Sequence, residues 1–517
     1  MRIQNFLSSL TILLATFTVA GQEIKPGVIP IPQQPLAQPV PEFIGSPATP
    51  KPIAARPVPQ SLFMAPNGRS GVHLDAYQSD TYPTAGPLGN SPEVSSTFLA
   101  ALCGTVTFDQ QGRILAVCVG TRPILYLLDP VSLETLARFP LPKHQQAGGT
   151  FGAGGYFFLD QLDRAVIPTR TRDIWRIKEV NGPAGTTFVR DHTCADDLPL
   201  LIPKDQTILS TFPDAFGLLW FTTSGNQADL ADEPAMVGTA APDPRRSNHC
   251  TVQLYTLPKG EGIVKSFAVD PDPSRGGVFI VSDHQLYRFD ATPAGAPMKT
   301  WSEPYDRGSQ IKPGQKVQGS GTTPTLMGTR FVTIGDNADP QMHVNVYRRA
   351  RSVSGSRLVC SEPVFQPDAS DSFNSLIATQ RSITVENNFG YVDPTSTIFG
   401  GITEPGISRI DLDDDRDSCQ TVWTNDQESV PNVVSQVSLV TGLEYTYSKD
   451  ASPPDAPYTD PWYFTAVDFH TGRTVFKVLA GTGILYNSHY SSVYLGPDGK
   501  TGYVGVLGGL IRIHDKD

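Results

Sequence analysis

The chain has 517 residues, with 40 basic and 51 acidic side chains and a net charge of −11. Basic residues form nothing larger than pairs such as Arg245-Arg246 and Arg348-Arg349, so the sequence predicts no nucleic-acid partner and no binding to anionic membranes. Only 18% of the residues are charged, which favours small hydrophobic ligands over polyelectrolytes.

Residues 1–21 are typical of a cleaved secretory signal peptide. Arg2 supplies a positive charge, an apolar core runs from Phe6 to Ala20, and Ala20-Gly21 offers small residues for cleavage. The sequence has no second apolar run long enough for a transmembrane helix. We therefore expect a protein without a membrane span, located outside the cell or in the lumen of the secretory pathway.

Residues 22–61 form a proline-rich segment, with eleven prolines between residues 22 and 60. Such a composition favours extended polyproline conformations and contributes little to a packed core. The sequence therefore predicts a disordered or semi-rigid linker.

Residues 62–517 predict one all-β domain, because short β-rich runs alternate with turns rich in glycine and proline and no long helical period appears. Units of strand, turn and strand recur at the ~40–50-residue spacing of propeller blades. They lie near residues 99–142, 154–194, 206–257, 262–303, 321–365, 373–423, 431–478 and 487–514. We expect a β-propeller of four-stranded blades, with eight blades favoured and seven as the alternative, since an insertion between Thr223 and Cys250 blurs one unit.

The last unit shows only three strands before the chain stops. A propeller ring usually closes by pairing strands from the two termini. Residues 72–77 or residues 95–102 are the candidates for the missing strand.

Six cysteines in an exported chain predict disulfides rather than metal ligands. Fifteen pairings are possible for six cysteines. Positions within the blades favour Cys103 with Cys118 and Cys360 with Cys419, which leaves Cys194 with Cys250.

The sequence lacks the GxSxG, HExxH, P-loop and GxGxxG motifs, so an active site would have to be assembled from scattered residues. The candidates lie at or near the ends of β-rich runs, where polar residues also cap turns for purely structural reasons. We predict His489 as a general acid and Tyr490 as a hydrogen-bond donor to a carbonyl. Predicted substrate-binding residues are Trp220, Asn337, Asn387 and Tyr447. No metal site is predicted with them.

Three motifs carry a resemblance to a known family: Asp336-Asn337-Ala338-Asp339-Pro340, Val385-Glu386-Asn387-Asn388 and Trp462-Tyr463-Phe464-Thr465-Ala466. They are similar to secreted fungal propellers encoded beside tropolone and meroterpenoid pathways. Those proteins act as hetero-Diels–Alderases, joining a quinone-methide-type polyketide to a terpene alkene. The resemblance implies a natural-product cyclase that needs no metal or other cofactor.

Three other functions stay open. Asp336, Asn337, Asp339, Glu386 and Asn387 offer oxygen ligands for Ca²⁺ and resemble calcium-dependent gluconolactonase-like propellers, which predicts a hydrolase. The turn at residues 468–472 resembles quinoprotein-type propellers, which predicts a quinone-dependent dehydrogenase. A non-catalytic binding propeller would explain the missing catalytic motifs.

Overall fold

The computed structural model describes residues 28–35, 39–143, 155–183, 185–224, 234–453 and 458–516. The predicted signal peptide lies outside these residues. Helices in the described ranges are limited to single turns at Leu198–Leu201, Pro394–Thr397 and Ile484–Tyr486. None of the helices in these ranges has the length and apolar character needed to cross a membrane.

Strands form eight sheets that follow one another along the chain, and the four blade strands of each sheet pair antiparallel. Strands are given from first to fourth in each blade. Blade 1 has Leu102–Phe108, Ile114–Val119, Pro123–Leu128 and Thr135–Pro140, and blade 2 has Phe158–Leu159, Ala165–Pro168, Ile174–Gly182 and Gly185–His192. Blade 3 has Thr207–Pro213, Leu219–Ser224, Met236–Pro242 and Cys250–Thr256, and blade 4 has Ala268–Val269, Val278–Val281, Gln285–Ala291 and Pro297–Pro304.

Blades 5 to 8 follow the same plan and complete the ring. Blade 5 has Thr325–Met327, Phe331–Gly335, His343–Arg348 and Leu358–Pro363, and blade 6 has Ile377–Ala378, Ser382–Glu386, Ile407–Asp413 and Ser418–Asn425. Blade 7 has Gln436–Ser438, Leu443–Lys449, Pro461–Asp468 and Thr474–Thr482, and blade 8 has Ser491–Leu495, Thr501–Val506, Gly509–Asp515 and Pro92–Phe98. The predicted eight-bladed propeller is confirmed.

Burial decreases from the first strand of a blade to the fourth. All seven residues of Leu102–Phe108 are buried, whereas Thr135–Pro140 alternates between exposed and half-buried positions. Inner strands are covered on both sides by neighbouring blades, so both faces of these strands are buried. Outer strands are partly solvated and keep polar residues.

A strand from the N-terminal part of the chain closes the ring. Pro92–Phe98 pairs antiparallel with Gly509–Asp515 and becomes the fourth strand of blade 8. This strand overlaps the second of the two predicted segments, residues 95–102.

The described part of the proline-rich segment 22–61 is not a free tether. Phe43–Gly45 pairs with Thr474–Thr482 as a fifth strand on the outside of blade 7. Ile31 is fully buried and its backbone N–H donates to Ser96 Oγ at 3.0 Å. Apolar residues between the prolines, such as Ile31 and Val40, are buried, and a composition dominated by proline did not indicate this packing.

Residues 70–82, which we call the threading segment, run along the inner strands and are all buried. Their carbonyl groups accept hydrogen bonds from first-strand N–H groups of four blades. The bonds are Val269 to Ala76, Leu326 to Tyr77, Ala378 to Ser79 and Val437 to Asp80. The other candidate for ring closure, residues 72–77, therefore lies in the middle of the ring instead.

Two more short strands extend the ring inward. Thr81–Tyr82 pairs parallel with Gln436–Ser438 in blade 7. Val433–Val434 pairs parallel with Ser491–Leu495 in blade 8. Both additions give the inner strands further backbone partners near the axis.

Three disulfides are present, and they are the three favoured pairs. Cys103–Cys118 joins the first two strands of blade 1. Cys194–Cys250 ties the segment after blade 2 to the outer strand of blade 3, and Cys360–Cys419 links the outer strands of blades 5 and 6. Two of the three bonds therefore join neighbouring blades.

Replacing Leu74 in the threading segment should destabilise the whole ring. Its side chain is 1% exposed and belongs to the same buried apolar cluster as Tyr82, so Leu74→Ala should lower the free energy of unfolding by ~2–5 kcal/mol. Leu62→Ala is the matched control, because Leu62 is 75% exposed. Thermal and chemical denaturation measure the difference, and equal stability of the two variants would contradict the role assigned to the segment.

Candidate functional site

Antiparallel strand order divides the connections between the two faces of the ring. Connections from the first to the second strand and from the third to the fourth lie on one face, the lower face. Connections from the second to the third strand, and from each blade to the next, lie on the upper face. Most of the site residues predicted from the sequence lie in upper-face connections.

His489 and Tyr490 directly precede the first strand of blade 8 on the upper face. Both have positive φ angles, 34° and 67°. Their N–H groups donate to side-chain oxygens: His489 to Asn487 Oδ1 at 2.9 Å and Tyr490 to Asn432 Oδ1 at 3.0 Å. These bonds hold an unusual backbone conformation that turns two consecutive side chains towards one region.

Four rings meet in that region and form an aromatic cluster. His489 and Tyr490 lie 5.1 Å apart between ring centroids, Phe373 lies 5.7 Å from Tyr490, and Tyr391 lies 6.1 Å from His489. Tyr391 comes from the second connection of blade 6, and Phe373 precedes the first strand of that blade. Blades 6 and 8 therefore build the cluster together.

Hydrogen bonding determines which nitrogen of His489 carries the proton. Asn487 Oδ1 already accepts the His489 N–H, and the Tyr391 hydroxyl donates to the same oxygen at 3.0 Å. The Tyr391 hydroxyl has only one hydrogen, and that hydrogen is used in the bond to Asn487. At its 2.9 Å contact with His489 Nδ1 the hydroxyl oxygen is therefore the acceptor and the imidazole N–H is the donor. Nε2 is then the acceptor of the neutral ring.

Lys265 and Asp371 place opposite charges beside the cluster. Lys265 Nζ donates to the Phe373 carbonyl at 2.5 Å and lies 5.4 Å from the centre of the Tyr490 ring. Asp371 accepts a hydrogen bond from Gln315 Nε2 at 2.5 Å. Lys265 and Tyr490 are partly exposed, whereas Asp371 is buried. Part of each of these two residues is therefore open to solvent in an upper-face connection.

Burial shifts the pKa values of the ionisable groups in this region. Desolvation lowers the pKa of Lys265 to about 8, although the nearby Asp371 carboxylate opposes the shift. It raises the pKa of Asp371 to about 7 and that of Tyr490 to about 12. It lowers the pKa of His489 to about 4. At neutral pH the imidazole is uncharged, so His489 suits a proton acceptor better than the general acid predicted from the sequence.

A second polar cluster lies on the threading segment. His73 Nδ1 is 3.1 Å from both oxygens of Asp80 and 3.0 Å from Ser375 Oγ, whose hydroxyl donates to Asp80. The His73 ring stacks on Tyr156 at 6.0 Å. Ser375 and Asp80 both contact His73 Nδ1. In a catalytic triad the serine and the aspartate contact different nitrogens of the imidazole. This cluster is a structural network that fastens the threading segment to blade 6.

Trp220 and Tyr447 serve as packing residues. Trp220 is 1% exposed, and its indole N–H donates to Asp214 Oδ2 at 3.0 Å. It begins the second strand of blade 3 and so lies towards the lower face, where it cannot share a pocket with His489. Tyr447 is fully buried within blade 7 and stacks on Trp462 at 5.4 Å.

Asn337 and Asn387 hold upper-face loops. The Asn337 amide donates to the carbonyls of Arg307 and Gln310 at 2.7 and 2.9 Å. Asn387 donates to the Ala369 carbonyl and accepts from the Asp371 N–H. Asn387 therefore positions Asp371, while its own polar atoms are used within the protein.

The proposed calcium ligands do not converge. Asp336 accepts hydrogen bonds from the His343 N–H and from Asn345, and burial raises the pKa of Glu386 to about 8, which keeps it protonated. Within the described ranges, the only trio of His, Cys, Asp or Glu side chains with ligand atoms inside 4.8 Å is His192, Cys194 and Cys250. Both of those sulfurs are in a disulfide.

Four residues of this region were not predicted from the sequence: Lys265, Phe373, Asp371 and Tyr391. Lys265 and Phe373 lie a few residues before the first strand of a blade, as His489 and Tyr490 do. First strands line the axis, so the residues before them lie nearest the centre of the upper face. That placement was the available signal for Lys265 and Phe373, whereas Tyr391 lies in the long connection after a second strand and had no such signal.

No family model matches the chain, and no curated protein matches it. Solved structures similar to it include BamB from Moraxella catarrhalis, with 11% identity over 86% of this chain and 98% of that chain and a TM-score of 0.43. Another is Sqt1 from Chaetomium thermophilum bound to the N-terminus of the ribosomal protein L10. Its sequence identity is 10% over 88% of this chain and 100% of that chain, and its TM-score is 0.42. A third is the Cps50 (Swd1) β-propeller domain from Myceliophteria thermophila. Its sequence identity is 10% over 82% of this chain and 100% of that chain, and its TM-score is 0.39.

The low pKa of Lys265 can be measured directly by NMR with ¹³C-labelled lysine. The signal that disappears in Lys265→Arg should titrate near pH 8. In Asp371→Asn its midpoint should fall, because the negative charge that favours the ammonium form has been removed. A midpoint near 10.5 in the unaltered protein would contradict the burial described for this amine.

Proposed function

We propose that the protein is an enzyme acting on small hydrophobic substrates at the upper-face cluster, and that it is a hetero-Diels–Alderase of the kind implied by the sequence resemblance. A quinone-methide-type polyketide would supply the C=C–C=O unit and a terpene the alkene. One C–C bond and one C–O bond form, and the cycloaddition releases no atoms. The proposal rests on one observation: an amine, a phenol and a neutral imidazole meet among aromatic rings.

The diene must first be made by loss of water from a hydroxymethyl precursor. The leaving hydroxyl takes a proton from the Lys265 ammonium group, and His489 Nε2 accepts the proton of the ring hydroxyl. Oxygen then becomes the carbonyl of the quinone methide, and water departs. A pKa near 8 suits the amine to this task, because both protonation states are accessible near neutral pH.

Tyr490 would act in the addition itself. Its phenol stays protonated, since burial raises its pKa to about 12. A hydrogen bond from this hydroxyl to the carbonyl oxygen draws electrons from the diene and stabilises the charge that develops in the transition state. The rings of Phe373 and Tyr391 provide apolar surface to hold both substrates together, and proximity of this kind is worth up to ~7–11 kcal/mol in well-oriented cases.

Turnover should be lost selectively when these groups are removed. The purified protein is incubated with a hydroxymethyl-tropolone and a sesquiterpene alkene, and the cycloadduct is quantified with its enantiomeric excess. Lys265→Met, Tyr490→Phe and His489→Phe should each reduce the rate ~10²-fold with unchanged melting temperatures. His470→Phe is the control, because His470 lies in a lower-face turn of blade 7.

A racemic product at the rate seen without protein would reject catalysis and favour a binding propeller. Hydrolysis of a lactone that stops with chelator and returns with Ca²⁺ would favour the lactonase-like function instead.

The rate should also depend on pH through Lys265. If its ammonium form is the acid, kcat falls as pH rises through about 8. Asp371→Asn should move this falling limb to lower pH, because the carboxylate favours the ammonium form. A limb that is unchanged in Asp371→Asn would separate the pH dependence from this lysine.

A further inference from the structure

A second site lies on the lower face, away from the upper-face cluster. There a cavity of about 400 Å³ opens between blades 4 and 5, bordered by a turn of blade 6. Six arginines line it: Arg275, Arg288, Arg330, Arg348, Arg349 and Arg351. We call it the arginine pocket. In a chain with a net charge of −11, this concentration of guanidinium groups is exceptional.

Part of the pocket is a fixed wall. Arg288 donates from Nε and Nη2 to Asp290, from Nη1 to the Arg349 carbonyl, and from Nη2 also to the Arg275 carbonyl. Its side chain is 3% exposed. All three of its nitrogens are used within the protein, so Arg288 positions its neighbours and is not available to a ligand.

Arg349 is different, because one of its nitrogens is unsatisfied. Nη2 donates to the Tyr77 hydroxyl and to Asp270, both at 2.8 Å. Nη1 is buried and has no hydrogen-bond partner among the described residues, although the side chain is only 3% exposed. Leaving a buried charged donor unpaired is costly, which favours an acceptor at this position.

Arg330 and Arg351 present open guanidinium groups. Their side chains are 58% and 59% exposed, and each forms its ion pair through Nη2, to Asp414 and Asp290 respectively. Exposed pairs of this kind contribute little net stability, so an anion can recruit the remaining N–H groups at small cost.

The balance of charges around the pocket also favours binding of an anion. The six arginines form ion pairs with five aspartates: Asp270, Asp272, Asp290, Asp414 and Asp417. One positive charge is left over. The hydroxyls of Thr329 and Ser352 also line the cavity and can donate hydrogen bonds.

We propose that the arginine pocket binds a small organic molecule through a phosphate or sulfate ester. Forked guanidinium groups match the oxygens of such anions bidentately. The cavity is larger than the anion alone, and Phe331 and Val353 in its lining offer apolar surface to the organic part. The site shares no residue with the upper-face cluster, so it stands independently of the proposed cycloaddition.

The test is saturable binding of defined anions. Inorganic phosphate, inorganic sulfate, phenyl phosphate and phenyl sulfate are titrated at constant ionic strength and followed by calorimetry and by thermal shift. Phenyl esters should bind at least tenfold more tightly than the inorganic ions, and the preferred ester identifies phosphate or sulfate as the ligand class.

The double variant Arg330→Gln/Arg351→Gln should weaken phenyl ester binding tenfold or more while keeping the melting temperature of the unliganded protein. Arg246→Gln is the matched control, because Arg246 is also exposed, at 61%, and paired with an aspartate. Absence of saturable binding, or equal affinity in the double variant and the control, would overturn the proposal.

Discussion

Backbone pairing between Pro92–Phe98 and Gly509–Asp515 closes the ring, and the burial of every blade depends on that closure. A four-stranded blade has two apolar faces and can cover them only between two neighbours. Without the closing strand, blade 8 would lose its outer edge and blades 8 and 1 would no longer be held together by the chain. The threading segment adds a second constraint, since it bonds to the first strands of four blades at once.

Repeating local signals made much of this architecture predictable. Each blade is a set of short β-rich runs with turns at regular spacing, and the cysteines lie on or next to strands that are neighbours in the ring. The position of the threading segment could not be predicted, because residues 72–77 suggested a closing strand and the flanking residues are polar. Their polar groups are buried in pairs, such as Asp75 with Ser79 and His73 with Asp80, and no sequence pattern announces such partners.

The site was predicted only in part, for a geometric reason. His489 and Tyr490 were predicted because an imidazole titrates near neutral pH and a phenol beside it can donate a hydrogen bond. Trp220 and Tyr447 were chosen for their chemistry, but the ring buries large aromatic side chains between blades, where packing is their whole role. Lys265 carried no motif. Lys265 belongs to the candidate site because it lies just before a first strand and near Asp371. The two residues are 106 positions apart in the sequence, so only the folded ring brings them together.

The threading segment also sets the order in which the molecule can be made. Residues 70–82 leave the ribosome before any blade, yet Asp80 bonds to Gln436, 356 residues later. The centre of the ring must therefore stay open until blade 7 has been synthesised, and closure by Pro92–Phe98 must wait for blade 8. Contacts between such distant parts of a chain form slowly and leave partly built intermediates exposed. Blade pairs stapled by Cys194–Cys250 and Cys360–Cys419 can form during synthesis, whereas the completed ring is a product of the full-length chain alone.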